Sequence, residues 1–135
     1  MSSATQSEIN RALYGKGYKP EHALQNTILQ YLALEKVWAI RLNTSTMIVE
    51  DAHGKKRPVK SHSGGKGVAD ILALPESFCG ECLGIIPFWI EVKAPEGKQT
   101  PEQKSFQLDV VQRGHRYLVA YSIEDVVKEL KRIRA

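Results

Sequence analysis

Cysteine is nearly missing from this chain: there are two in 135 residues, and Cys79-Gly80-Glu81-Cys82 brings them too close together to staple a fold. A disulfide-built secreted scaffold is thereby excluded. The pair has the look of half a zinc knuckle, but a structural zinc takes four ligands and no second pair is present. The four histidines show no ligand spacing either. Cys79 and Cys82 therefore read as reduced thiols in a turn, with zinc the weaker alternative. No apolar run is long enough to span a bilayer, and the polar opening Met1 to Glu8 has no signal-peptide core, which leads us to expect an intracellular protein. Internal repeats and low-complexity tracts are absent as well, and Gly64-Gly65-Lys66-Gly67 lacks the spacing of a phosphate-binding loop.

What remains is the composition of an ordinary globule, 42% hydrophobic and 25% charged, on a chain long enough for one domain with a real core. A formal charge of +4 gives a mildly basic surface that suits a polyanionic partner without naming one. Residues 1–18 are polar and aperiodic, which predicts a flexible arm ahead of a single domain over 19–135. Pro20 suits a first helical turn, and Leu24, Ile28, Tyr31 and Leu32 follow at core-facing spacing to about Glu35. Val37 to Leu42 reads as a strand. Met47-Ile48-Val49 and Pro58-Val59 flank the polar stretch Asp51 to Arg57, which predicts a hairpin with a basic tip.

Two further strands are expected at Val68 to Leu74 and Phe88 to Ala94, separated by a Gly- and Pro-punctuated turn region that holds both cysteines. Thr100-Pro101-Glu102-Gln103 is a helix start, with Thr as the cap, Pro at the first position and Gln three residues after the cap. That helix should reach Arg113 and end at Gly114. A strand at Arg116 to Tyr121 and a final helix, capped by Ser122 and running to about Arg132, complete the chain. The order predicts an α/β fold, a mixed central sheet flanked by helices.

Within this frame one pattern stands out: Asp70 closes one apolar run, and Glu91 and Lys93 sit inside the next. Side chains alternate along a strand, so Glu91 and Lys93 point one way while Ile90 and Val92 point into the core. If the two strands pair, Asp70 joins them. Two carboxylates and a lysine make a site for a hard divalent cation and the water it activates. The plainer alternative is a solvated strand face with a weak ion pair, but Pro87 to Ala94 is apolar enough to be covered on both faces, where an unpaired charge is costly. Glu21 precedes Leu24 by three residues and Ile28 by seven, so it shares their inward face with Gln25 one turn on, besides favouring the helix dipole. Gln103 poses the same double reading, a capping residue that also leans coreward with Phe106 and Val110. Without metal, close carboxylates repel and should take up a proton.

Glu21 with Gln25, Gly67-Val68-Ala69-Asp70, Ile90-Glu91-Val92-Lys93, Thr100-Pro101-Glu102-Gln103 and the Gly114 strand entry, in that order, resemble the VRR-NUC domain of the PD-(D/E)XK nuclease superfamily. The resemblance spans about Glu21 to Val127. It implies a restriction-endonuclease-like core and a metal-dependent DNA endonuclease. Asp70, Glu91 and the Val92 carbonyl would hold Mg²⁺ or Mn²⁺, with Glu21 supporting that site. Lys93 would orient or help deprotonate the attacking water, and Gln103 would position its neighbours. Ala69 stands where the family usually has proline, a loss of backbone rigidity but not of a ligand. For a stand-alone domain the resemblance further implies a homodimer acting on branched DNA such as four-way junctions. Under that reading Lys55, Lys56, Arg57, Lys60 and Lys66, with His53 and His62, form a basic arm that binds nucleic acid beside the metal, rather than only a solvated hairpin tip. The alternatives are a sequence-specific restriction-type endonuclease, which needs recognition elements for which the chain has little room, and a non-catalytic DNA-binding module.

Overall fold

The structure is a computed structural model and describes residues 5, 8–9, 20–42, 45–61, 67–79 and 82–135. The expected arm over 1–18 lies almost wholly outside them, as do His62 and Lys66. The described elements are α1 (Pro20–Leu34), β1 (Trp38–Arg41), β2 (Ser45–Glu50), β3 (Lys56–Ser61), β4 (Ile71–Leu74), β5 (Glu76–Cys79), β6 (Cys82–Ile85), β7 (Phe88–Val92), α2 (Pro101–Gln112), β8 (Arg116–Ala120) and α3 (Ile123–Arg134). This is a mixed α/β chain. Its main sheet has the order β1-β4-β7-β8, antiparallel except for the parallel pair β7 and β8, which α2 connects. Among the described residues no helix is long and apolar enough to cross a membrane.

Alternation along the strands divides the sheet into two faces. Ile71, Ala73, Phe88, Ile90, Val92 and Ala120 pack with Ile28 and Leu32 of α1 and with Val126, Leu130 and Ile133 of α3, forming the buried core. On the opposite face Trp89 meets Phe106 of α2 edge to face at 5.0 Å, and Phe106 also contacts Tyr117. The strand β7 is therefore covered on both sides, as its apolar sequence requires.

The helix signals are realised in detail. Thr100 and Gln103 form a reciprocal capping box at the start of α2, and Ser122 and Asp125 form another at α3. Gly114, at φ +85°, closes α2 in a Schellman arrangement: its N–H reaches the Val111 carbonyl and the His115 N–H reaches that of Val110. Helix α1 ends in the same geometry with Lys36 at φ 59°, where a glycine would be cheaper.

Two expectations need correction. The stretch between β4 and β7 is not only a turn region, because Glu76–Cys79 and Cys82–Ile85 pair as an antiparallel hairpin in which Cys79 and Cys82 are cross-strand partners. Strands as short as these carry too few alternating positions to announce themselves. The strand expected from Val68 begins only at Ile71. Gly67 sets the delay. At φ +82° it turns the chain against the first turn of α2, so closely that an added Cβ would collide with the Glu102 carbonyl. Residues 67–70 thus lead from that contact into the sheet, and the Asp70 carbonyl extends the ladder by accepting from the Leu42 N–H at 2.7 Å.

Candidate functional site

The register of β4 against β7 pairs Ile71 with Ile90, so Asp70, one step earlier, comes level with Glu91 at the end of the strands. Asp70 Oδ2 accepts the Val92 N–H at 2.8 Å, which fixes the carboxyl at this corner. Glu91 is 3% exposed, the one buried charged side chain among the described residues. Its Oε1 accepts from Gln103 Nε2 at 2.8 Å and lies 3.7 Å from Lys93 Nζ. Its Oε2 is buried and no N–H or hydroxyl group reaches it, while the proton that Glu91 retains makes a hydrogen bond to Asp70. The two carboxyl groups are in contact, and burial of each raises its pKa. For Glu91, burial reinforced by the Asp70 charge pushes the group up to about 8, with Lys93 opposing. Burial also raises Asp70, opposed by the Val92 N–H, the hydrogen bond from Glu91 and the Lys93 charge, which favour its ionised form.

The orientation of Gln103 follows from its cap. Its Oε1 accepts the Thr100 N–H at 2.9 Å, which leaves the NH₂ end to face Glu91. The capping reading and the inward reading of this residue are therefore both realised in one side chain. Glu21, in the first turn of α1, reaches across to accept the Ala94 N–H at 3.1 Å, and its charge is felt at both Asp70 and Glu91. The structure thus brings Glu21, Asp70, Glu91, Lys93 and Gln103 to one end of the sheet, with the Val92 backbone among them. It does not gather Glu21 into a three-acid cage: among the described residues, no group of three or more His, Cys, Asp or Glu is placed to hold a metal ion.

The donor set still fits a hard cation. Two carboxylates stand together, one buried oxygen lacks any donor, and the Val92 carbonyl lies at the same strand end. Cys79 and Cys82 lie on the separate β5–β6 hairpin, outside this cluster.

The basic arm is a hairpin with its own two-stranded sheet, β2 with β3. Its tip is an Asx-type turn in which Asp51 Oδ1 accepts the N–H groups of His53 and Lys55, both at 2.9 Å. Lys55, Lys56 and Arg57 are exposed, and Lys60 sits farther along β3.

Motif reading does not reach Gln99, Gln107 and Tyr117, which extend the polar cluster. Gln99 Nε2 donates to the Tyr117 hydroxyl at 3.2 Å and to Gln107 Oε1 at 3.0 Å. The available signal is the four-residue spacing of Gln103 and Gln107, which puts them along one face of α2, with Gln99 just ahead of the Thr100 cap. A cavity of about 900 Å³ lies at the other end of β1 and β4, lined by Val37, Trp38, Leu74 and Ile85 among charged neighbours, and touches none of the candidate acids. No protein-family model matches the chain, and no curated protein or solved structure matches it significantly.

Proposed function

We propose that this protein is a metal-dependent DNA endonuclease with a restriction-endonuclease-like core of the VRR-NUC type. The observation that carries the reading is the buried Glu91 carboxyl group, set against Asp70 and keeping one oxygen that no N–H or hydroxyl group reaches. Stability alone would favour an apolar residue at such a position. Asp70, Glu91 and the Val92 carbonyl would hold Mg²⁺ or Mn²⁺, and Glu21 would support the site through Ala94. When bound, the cation lowers the pKa of the attacking water and neutralises charge that develops on the phosphate. Lys93, 3.7 Å from Glu91, would orient that water and, as a cation beside it, favour its deprotonation. Gln103 holds Glu91 in one orientation, and Lys55, Lys56, Arg57, Lys60 and Lys66 contact the DNA backbone.

One domain offers one such site, and symmetric nicking of two strands takes two sites related by a two-fold axis. The reading therefore extends to a homodimer that prefers branched DNA such as four-way junctions. The test is incubation of the purified protein with junction, flap, linear and single-stranded DNA, with Mg²⁺ or Mn²⁺ or with EDTA, alongside Asp70→Ala. Cleavage that requires metal and disappears in Asp70→Ala supports the reading. Cleavage in EDTA, or full activity of the variant, defeats it.

A further inference from the structure

The loop between β7 and α2 is held far more firmly than a surface connection requires. Its second residue, Ala94, donates its N–H to Glu21 at 3.1 Å. The Gly97 carbonyl accepts the Tyr121 hydroxyl at 3.1 Å. Gln99 bridges the Tyr117 hydroxyl and Gln107 through one nitrogen. Thr100 then ends the loop by donating its N–H to Gln103 Oε1. Two of these ties come from tyrosines on β8 and just beyond it, the strand parallel to β7.

We propose that Tyr117 and Gln99 are positioning residues for Glu91, acting through Thr100 and Gln103. Gln103 presents its NH₂ to Glu91 only while its carbonyl end is held by the Thr100 N–H; released, the amide can rotate and lose that preference. Gln99 is the neighbour of Thr100, and its clamp on Tyr117 and Gln107 keeps the Thr100 N–H aimed at the first turn of α2. Tyr117 is suited to this task. Its ring lies 6.2 Å from that of Phe106. Burial pushes its phenol up to about 12, with the Glu91 and Asp70 charges adding to the effect, so the hydroxyl stays neutral across the working range. The consequence for cation binding rests on the metal reading above, whereas the chain of contacts does not.

Tyr117→Phe keeps the ring and removes the hydroxyl, and Gln99→Met keeps the length and removes the amide. In metal-free protein, either change should speed amide exchange at Thr100 and Gln103 and move the Gln103 side-chain NH₂ resonances, while amides in the last turns of α2 keep their wild-type rates. Mn²⁺ affinity, measured by calorimetry, should then fall by up to about tenfold, the lower end of what loss of a ligand-orienting contact costs. Adding Tyr117→Phe to Gln103→Ala should weaken Mn²⁺ no further, because both act through one amide. Unchanged exchange and resonances in both variants overturn the proposal, and so do Mn²⁺ effects that multiply in the double variant. A wild-type protein that binds no Mn²⁺, with the resonances still moving in Tyr117→Phe, refutes the metal reading and leaves the positioning of Glu91 through Gln103 standing.

Discussion

Replacing Glu91 with glutamine should stabilise the metal-free protein near neutral pH, the reverse of what truncating a buried, hydrogen-bonded residue normally does. Glu91 titrates near 4.5 when solvated and is pushed up to about 8 in the folded chain. Between those values the native state holds a proton that the unfolded chain has released. Stability therefore falls as pH rises through this window, by about 1.4 kcal/mol per unit. At pH 7 the accumulated loss is roughly 3 kcal/mol, and above the folded pKa it levels off near 5 kcal/mol. The raised pKa of Asp70 works in the same direction. Glutamine removes this titration and suits the surroundings. Its oxygen can still accept from Gln103, and its NH₂ takes the place of the donorless Oε2, beside the Asp70 carboxylate that can accept from it.

Thermal unfolding in EDTA from pH 5 to 8.5 measures the effect. The wild-type midpoint should drop across the range, while that of Glu91→Gln should stay nearly flat and lie roughly 10 °C higher at pH 7, since ~1 kcal/mol moves a domain of this size by about 3 to 4 °C. Mn²⁺ at a hundred times its dissociation constant should return about 3 kcal/mol to the wild type and little to the variant. Parallel pH curves for the two proteins, or a variant less stable at every pH, would refute the account of Glu91 as a charge kept at a cost for a ligand.

Neutralising Lys55, Lys56 and Arg57 together should weaken DNA binding and reduce the slope of log affinity against log salt by up to about three, one for each lost phosphate contact; an unchanged slope would return the tip to a solvated hairpin. Gly67→Ala should cost several kcal/mol in urea unfolding, because its Cβ meets the Glu102 backbone and its φ of +82° strains any side chain; a variant within about 0.5 kcal/mol of wild type would show that this approach is not fixed. Light scattering at assay concentrations should report a dimer, and a monomer that cleaves at full rate would remove the two-fold argument.

The parts of this molecule legible in the sequence are those in which one residue carries its own geometric reason. Thr100-Pro101 with Gln103 announces a helix start, Gly114 announces its end, and the alternation around Glu91 assigns faces, because each depends on bonds within a few residues. Even the meeting of Asp70 with Glu91 needs only one assumption, that two apolar runs pair. Tyr117 and Gln99 were beyond reach for the opposite reason. Their contact joins residues 18 apart on a strand and a loop, and its consequence passes through Thr100 and Gln103 before it arrives at Glu91. The β5–β6 hairpin is too short to leave a pattern, and the late start of β4 rests on a close approach between Gly67 and Glu102 that leaves no periodic trace. The sequence thus exposes the charges of the candidate site and conceals what aims them. That difference bears on which substitutions will mislead: a change at Asp70 speaks to the chemistry directly, whereas one at Tyr117 can imitate a damaged ligand from a residue that none of the motifs contains.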